Sequence, residues 1–322
     1  MRLKCLFVAA AVLIGQSHLA RAEDFPNRAV RLVVPTGPGG AADFVSRLIA
    51  EKMQVSLGQP VVVENRAGAN GNVGAMAVLS APADGYTMMM GHIGLMTINS
   101  HIYKGMKFEP LTDFVPVTRG VTYMNVLVVN NAMPVQSVAD LIKYAKDKPG
   151  SLSYSSSGFG ASFHMAFELL KSEADISALH VPYTGTAHAV TAVMTGDVNV
   201  AFIDALTIAP HVAGKTVRAL AVSGATRSAM FPDLPTVAEA GVPGFDVVGW
   251  NGIVVKAGTP PDRIALLNKH ILLALQAPDV VKRISEQGAE VAGGSPEEFG
   301  AFMRSEDSKW GNLARKAKLE TN

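Results

Sequence analysis

Apolar and polar positions along the chain follow two periods, and their order predicts an α/β protein. Short apolar runs such as Ala29–Val34 and Asn125–Val129 predict buried strands. Downstream of the first run, Leu48, Ile49 and Met53 recur at helical spacing. Such strand-like and helix-like segments alternate almost throughout, which is typical of mainly parallel sheets flanked by helices.

The remaining elements are predicted by the same patterns. Further strands are expected at Pro60–Glu64, Tyr86–Met90, Leu152–Ser155, Leu179–Pro182, Val198–Ile203, Val217–Val222 and Val247–Val255. Helices are expected at Asn72–Ser80, from Ser137 to about Lys146, at Phe163–Lys171 and Ala187–Thr195, and from Pro261, Pro278 and Pro296. At this length the elements favour two lobes over one sheet.

The chain is expected to cross between the lobes twice, near Gly120–Met124 and near Gly244–Gly249. Residues 23–122 and 246–322 would then form a discontinuous first lobe, with residues 123–245 inserted as the second. Two crossings form a natural hinge, and a cleft between lobes is a preferred ligand site.

The N-terminal segment has the pattern of a cleaved secretory signal peptide. A basic start is followed by the apolar run Cys5–Ile14, and Ala20–Ala22 fits an A-x-A cleavage site. Cleavage after Ala22 would remove residues 1–22, leaving 300 of the 322 residues. Cys5 begins the apolar run rather than ending it, so no lipid anchor is expected. The predicted location is the periplasm.

Charge and cysteine content then narrow the classes of partner. Loss of the leader removes three basic residues and no acid, so the formal charge falls from +1 to −2. Without basic clusters, nucleic acid is not an expected partner. The single cysteine leaves with the leader, so stability must come from burial of a core rather than from disulfides. We expect a monomer.

Four glycine- or hydroxyl-rich loops follow predicted strands: Pro35–Asp43, Gly91–Gly94, Ser155–Ser162 and Tyr183–His188. In α/β sheets, ligands lie beyond the carboxyl ends of strands, where such loops gather. Backbone N–H groups and helix N-termini suit a carboxylate held without a fixed cation. The serine-rich and Tyr183 loops are equally compatible with ordinary capping of the following helices.

Among the titratable candidates, His92 and His188 lie within these loops, where they could donate to a carboxylate, sense pH or lie on the surface. Asp204 ends a predicted strand and could accept from a ligand ammonium or hydroxyl group, or cap the next helix. No G-x-S-x-G, HExxH or Walker motif occurs. We therefore expect no catalytic residues, no metal and no cofactor.

Seven motifs in family order resemble the Bug-type extracytoplasmic solute-binding proteins of tripartite tricarboxylate transporters. The matching stretches are Val33–Asp43, Val61–Ala69, Ala81–Thr87, Tyr154–Gly158, His180–Tyr183, Leu234–Phe245 and Ala257–Pro260. They extend over nearly all of the mature chain. The resemblance implies a two-lobe, Venus-flytrap fold that closes on a ligand.

The resemblance also implies which residues bind. Family roles in holding a carboxylate, through main-chain N–H groups, waters and small hydroxyls, carry over to Gly39, Gly40, Ala41, Ser155, Ser156, Ser162, Thr184, Gly185 and Thr186. Asp204 matches an acid that the family often places at the distal end of the ligand. The chain departs from the family where Ala41 and Ala42 replace hydroxyl residues, and where His92 and His188 stand in ligand-selecting loops.

These observations predict a periplasmic receptor that captures a di- or tricarboxylate or an aromatic acid and delivers it to a membrane permease. One alternative is a ligand sensor that signals to a membrane sensor kinase, which needs the same fold. A second alternative is an exported α/β hydrolase, which would need a catalytic serine.

Overall fold

The computed structural model describes residues 25–319; the predicted leader, residues 1–22, lies outside them. The strands are β1 Val30–Val34, β2 Val61–Asn65, β3 Thr87–His92, β4 Phe114–Val129, β5 Ser153–Ser156, β6 Leu179–Pro182, β7 Val200–Asp204, β8 Arg218–Val222, β9 Val248–Lys256 and β10 Ala289–Gly293. The helices are α1 Ala41–Leu57, α2 Asn72–Leu79, α3 Asn99–Ile102, α4 Pro110–Asp113, α5 Val138–Asp147, α6 Ser162–Ala174, α7 Thr186–Thr195, α8 Ala205–Ala213, α9 Pro261–Leu275, α10 Pro278–Ser285 and α11 Pro296–Lys316.

All ten strands join one curled sheet with the order β2-β1-β3-β9-β4-β7-β5-β6, and β8 and β10 also pair with β4. The pairs β1–β2, β1–β3, β5–β6 and β5–β7 are parallel. Strands β4 and β9 run antiparallel to all of their partners. The sheet is therefore mixed, because it combines these parallel pairs with the antiparallel pairs that β4 and β9 form in its middle.

Strand β4 is 16 residues long and changes partners along its length. Residues Phe114–Met124 pair with β9 and, in part, with β10, whereas Asn125–Val129 pair with β7 and β8. We call β1–β3, β9, β10 and Phe114–Met124 the first section of the sheet. The second section consists of β5–β8 and Asn125–Val129.

A buried serine joins the two segments that connect these sections. The backbone N–H of Asn125 donates to Ser223 Oγ at 2.9 Å, and that hydroxyl donates to the carbonyl of Val247 at 2.6 Å. Ser223 is fully buried, so both hydrogen bonds form away from solvent. The start of β9 is thereby tied to the point where β4 changes partners.

Apolar side chains fill both faces of the first section. One cluster packs α1, α9 and α10 against β1, β3 and β9, and it includes Leu48 and Leu267. The other continues through the second section and includes α11. There Trp250 is fully buried between Phe299 and Phe302, and its indole N–H donates to Glu306. Strand β9 is held on both faces.

The elements predicted from periodicity are confirmed, with bounds shifted by a few residues. The sheet contains more antiparallel pairing than a mainly parallel arrangement. Five elements were not predicted: the Phe114–Met124 part of β4, helices α3, α4 and α8, and strand β10. The β4 segment includes Pro116, Arg119 and Gly120 and two register shifts, which interrupt strand periodicity.

Between residues 25 and 319, no single helix has the length and apolar character needed to cross a membrane. Helices α9 and α10 are long and apolar enough only when taken together, and the chain bends by 69° between them.

We predict that Gly252→Ala destabilises the fold by about 1–3 kcal/mol, because overpacking strains a filled core. A Cβ atom at Gly252 would collide with the ring of Phe299. Gly37→Ala is the matched control, since a Cβ at Gly37 meets no atom within 4 Å. Urea unfolding of the two variants measures the difference, and equal midpoints would contradict the packing described for β9.

Candidate functional site

Polar side chains lie together where β4 passes between the two sections. Tyr123 and Asn125 are two residues apart on β4 and therefore share one face of the sheet. Asn125 lies opposite Asp204 of β7, and Tyr123 lies opposite Gly249 of β9. Cross-strand partners also share a face. Gly249 has no side chain, and a Cβ there would collide with the Tyr123 ring, so glycine leaves the space that this ring occupies.

The same face continues into β9 and β3. Asn251 is two residues beyond Gly249 on β9 and lies opposite His92 of β3. The cross-strand path thus joins five polar side chains on one face of the sheet, which we call the polar row: His92, Asn251, Tyr123, Asn125 and Asp204.

Several atoms of the polar row are shielded from water and have no hydrogen-bond partner within the described part of the chain. They are both side-chain amide atoms of Asn125, Nδ2 of Asn251 and Nε2 of His92. Asn125 and Asn251 are 0% and 1% exposed. A buried polar group without a partner costs about 1–3 kcal/mol, so such a group requires an explanation. A bound ligand, with its waters, is the simplest one.

His92 is a neutral donor. Its Nδ1 accepts a hydrogen bond from the backbone N–H of Leu95 at 3.3 Å, so the ring proton is on Nε2. Burial lowers the pKa of His92 to about 4. The alternative that His92 senses pH near neutrality, by becoming an imidazolium, is therefore not supported. A neutral imidazole still offers one N–H.

Asp204 begins α8 as well as ending β7. Its Oδ1 accepts from the backbone N–H and from the hydroxyl of Thr207, both at 2.8 Å. Asp204 therefore caps α8, as one of the two alternatives expected, and its Oδ2 is left for another partner. Burial raises the pKa of Asp204, against the lowering effect of the Thr207 hydrogen bonds. Helix capping and ligand contact are compatible at this residue.

Tyr123 connects the polar row to the serine-rich loop. Its hydroxyl lies near enough to Ser162, the first residue of α6, for that serine to affect the pKa of Tyr123. Burial, together with the charge of Asp204, raises the pKa of Tyr123, against a lowering effect of Ser162. The tyrosine therefore stays protonated and can donate its O–H. Ser162 is 7% exposed, and of the three serines predicted in this loop it is the one that affects the pKa of Tyr123.

In the first loop, the three predicted contacts Gly39, Gly40 and Ala41 differ in whether their N–H groups are already hydrogen-bonded. The N–H of Gly39 donates to Asp43 Oδ2 at 3.0 Å and is therefore occupied. Gly40 and Ala41 begin α1, where N–H groups lack partners within the helix. Although burial opposes it, hydrogen bonds from Arg47, Gly39 and other neighbours lower the pKa of Asp43, which stays charged. Ligand contact by these residues stays a prediction, strongest for Gly40 and Ala41.

The hydroxyls of Ser155 and Ser156 point into the second section. Ser155 donates to the carbonyl of Ala189 at 2.9 Å. Ser156 donates to the carbonyl of Gly158 at 2.9 Å and contacts His180 Nε2 at 2.7 Å. Both serines are 0% exposed. Both hydroxyls already form hydrogen bonds within the protein, and a direct ligand contact by either one stays an untested prediction.

Two stacked histidines support the serine-rich loop. The rings of His164 and His180 stack at 4.1 Å, and His164 Nδ1 accepts from the N–H of Gly160 at 3.2 Å. Burial lowers the pKa of each histidine to about 3. Both rings are neutral, so His164 can act as an acceptor for the loop.

His164 and Glu168 approach to 3.9 Å. Residues 25–319 contain no group of three metal-ligating side chains.

The fourth loop lies at the surface. Thr184, Gly185 and His188 are exposed, and Thr186 is half-buried. His188 Nδ1 donates to the carbonyl of Thr184 at 2.8 Å and so closes the turn that begins α7. The structure does not bring this loop into the polar row, and its four predicted contacts stay predictions.

The segment after β3 and the serine-rich loop approach each other closely at two glycines, Gly94 and Gly160. A Cβ at Gly94 would lie 2.8 Å from the carbonyl oxygen of Gly160, and one at Gly160 would collide with Ile102. The hydroxyl of Tyr103 donates to the carbonyl of Phe159 at 3.0 Å. These contacts join the segment after β3 to the serine-rich loop and close one side of the space beside His92.

A separate cavity of about 280 Å³ lies at the opposite ends of β1 and β3, beside Tyr86. Its charged groups are satisfied, because Arg28 pairs with Asp84 at 2.9 Å and Arg31 with Glu64 at 2.6 Å. It offers no buried unpartnered donor comparable to those of the polar row.

Tyr123, Asn125 and Asn251 were not among the predicted site residues. The prediction concentrated on loops after strands, whereas these residues lie within strands. The available signal was the presence of asparagine inside the apolar segments Asn125–Val129 and Val247–Val255. Polar amides inside buried strands need partners, so each was a candidate for the site.

Residues 45–319 match the family described as tripartite tricarboxylate transporter family receptor. The chain is 38% identical over 98% of its length to a UPF0065 protein of Pseudomonas sp. strain P51, covering 94% of that protein. It is 33% identical to BugT of Bordetella pertussis over 98% of this chain and 97% of BugT. The chain therefore belongs to this family of solute-binding receptors.

Solved structures of similar proteins have the same fold as this chain. The Rhodopseudomonas palustris protein Rpa4515, solved with adipate, superposes with a TM-score of 0.87 at 36% identity, covering 92% of this chain and all of that one. MatC of the same species, with bound malate, gives 0.83 at 31% identity, with coverages of 90% and 99%. The periplasmic binding protein BugD gives 0.84 at 31% identity, with coverages of 92% and 100%. The predicted periplasmic-binding-protein fold is confirmed.

We predict that His92 does not titrate between pH 5 and pH 8, because burial lowers its pKa to about 4. Protonation of the unfolded chain near pH 6.5 then costs folded-state stability as the pH falls towards 4. Proton NMR of the imidazole Cε1–H, assigned by comparison with His92→Gln, measures the midpoint. A midpoint near 6.5 would show that this ring is solvated and not part of a buried row.

Proposed function

We propose that the protein is a periplasmic receptor that binds a small organic carboxylate against the polar row and delivers it to a membrane permease. The observation that carries this proposal is the set of buried, unpartnered amide and imidazole atoms of Asn125, Asn251 and His92. Asn125 lies where the two sections of the sheet meet, and Asn251 and His92 extend the row into the first section. A junction between two such parts of a fold is a preferred position for a ligand cleft.

The two sections correspond to two lobes in this proposal. The change of partners along β4 between Met124 and Asn125 supports a boundary near residues 122 and 123. The start of β9 at Val248 supports the return near residue 246. Residues 23–122 with 246–322 then form one lobe and residues 123–245 the other, and the cleft closes by bending at the crossings.

Neutral groups hold the anion. Free N–H groups of Gly40 and Ala41 lie at the start of α1, where the helix dipole favours negative charge. The nearby cations are engaged, because Arg47 pairs with Asp43 and Arg66 with Glu64. Hydrogen bonds to charged groups contribute about 1.5–3 kcal/mol each. A few of them support micromolar binding, which needs about 8 kcal/mol.

The relatives favour dicarboxylates among the possible acids. The solved relatives at 36% and 31% identity contain adipate and malate. Family membership as a transporter receptor supports delivery to a permease, and the predicted leader supports a periplasmic location. Signalling to a sensor kinase would use the same closed form.

The hydrolase alternative is disfavoured by the geometry of its best nucleophile. Ser156 contacts His180 at 2.7 Å, as a nucleophile contacts its base, but Ser156 is fully buried and also donates to Gly158. No substrate carbonyl can reach this hydroxyl without rearrangement of the loop. Ester turnover that disappears in Ser156→Ala would favour the hydrolase instead.

A thermal-shift screen of the mature protein against mono-, di- and tricarboxylates and aromatic acids tests the function. A ligand present at 100 times its Kd stabilises the folded state by about 2.7 kcal/mol. We expect a dicarboxylate of four to six carbons to raise Tm by several degrees. The absence of any shift across these acids would reject the proposal.

We predict that Gly40→Val abolishes carboxylate binding and leaves the fold intact. Gly40 has φ −87° and ψ 173°, a conformation open to valine, and a Cβ there meets no atom within 4 Å. The new side chain fills the space in front of the free N–H groups. Calorimetric titration measures affinity, with Gly37→Ala as the control in the same loop. Unchanged affinity in Gly40→Val would exclude this loop from the site.

A further inference from the structure

Asp204 is the one acidic member of the polar row, and its neighbours are suited to both donating and accepting hydrogen bonds. It is 6% exposed and lies opposite Asn125, which is fully buried and has both amide atoms unpartnered. The Tyr123 hydroxyl is near enough for the charge of Asp204 to affect its pKa. Asp204 Oδ1 is occupied by Thr207, so Oδ2 is the atom left for a ligand.

A second ligand carboxylate beside a charged Asp204 would be strongly repelled. The repulsion between two like charges is stronger in a buried site, where the effective dielectric constant is lower than in water. The groups that face Asp204 do not offset this. Tyr123 from β4 is neutral, Ser162 from α6 carries no charge, and Thr207 from α8 only donates to the carboxylate. His92, further along the row, is neutral as well.

We infer that the ligand is a dicarboxylate whose second carboxyl group shares one proton with Asp204, so that binding takes up one proton from solvent. This inference rests on the proposed function and deepens it. The proton lies between Asp204 Oδ2 and one ligand oxygen, and no other bond forms or breaks. The Tyr123 O–H and the Asn125 Nδ2 group donate to the second ligand oxygen.

The environment favours this arrangement before any ligand arrives. Burial raises the pKa of Asp204 even though the Thr207 hydrogen bonds lower it. The incoming carboxylate raises it further, because the neutral acid then becomes a donor. An ammonium group is the competing occupant, and it would require Asp204 to stay charged.

Isothermal titration of adipate and of malate tests the proton uptake. Titrations between about pH 6 and about pH 8 in buffers of different ionisation enthalpy give the number of protons bound. We expect close to one proton per ligand and a loss of affinity approaching tenfold per pH unit as pH rises. A pH-independent Kd with no proton uptake would overturn the inference and leave the receptor function standing.

Asp204→Asn separates a shared proton from a charge pair. Asparagine caps a helix as well as aspartate does and mimics the protonated acid, so the fold should survive. We expect dicarboxylate affinity within about threefold of the wild-type value at pH 6, with proton uptake and pH dependence both lost. Asp279→Asn, at a surface acid paired with Lys52, is the matched control and should keep both.

The competing occupant gives the opposite result. If the ligand end is an ammonium group, Asp204→Asn loses binding at every pH, and aspartate or glutamate binds the wild-type protein without proton uptake. That outcome would overturn the shared proton. Failure of every carboxylate to bind wild-type protein at any pH would reject the receptor function itself, together with the inference.

Discussion

Strand β4 is the constraint on which the rest of the structure depends. It pairs with β9 and β10 over its first part and with β7 and β8 over its last five residues, so both sections of the sheet share one backbone. Side chains that alternate along this strand are therefore presented to both sections at once. Tyr123 and Asn125 acquire their position from this geometry, and Asp204 and Asn251 acquire theirs by pairing with β4.

The site exchanges stability for recognition. Asn125 and Asn251 are buried polar residues, and within residues 25–319 both amide atoms of Asn125 and Nδ2 of Asn251 lack hydrogen-bond partners. A buried polar group costs much less when a ligand completes its hydrogen bonds. In the proposed receptor, His92 and Tyr123 are neutral donors, so they bind an anion through placed hydrogen bonds rather than through net charge. Selectivity then depends on the geometry of donors and on the charge state of Asp204.

Most of the fold could be predicted from the sequence, because apolar periodicity reflects burial and the strands and helices are short and regular. The first part of β4 could not, since Pro116 and Gly120 and two register shifts disrupt its pattern. Ligand contacts in four loops were predicted from glycine and hydroxyl residues, and those contacts stay predictions. The polar row was not predicted, because its members come together only through cross-strand register. Register is a property of paired strands, and no single segment such as Asn125–Val129 carries it.

The late position of β9 affects how the chain reaches this fold. Met88 of β3 pairs with Val255, so the first section lacks a central strand until more than 160 further residues are available. Such distant pairing slows folding, because the chain loses conformational entropy in closing a long loop before the stabilising contacts between the strands can form. Until β9 docks, the apolar edge of β3 stays open to other strands, which is a recognised aggregation hazard.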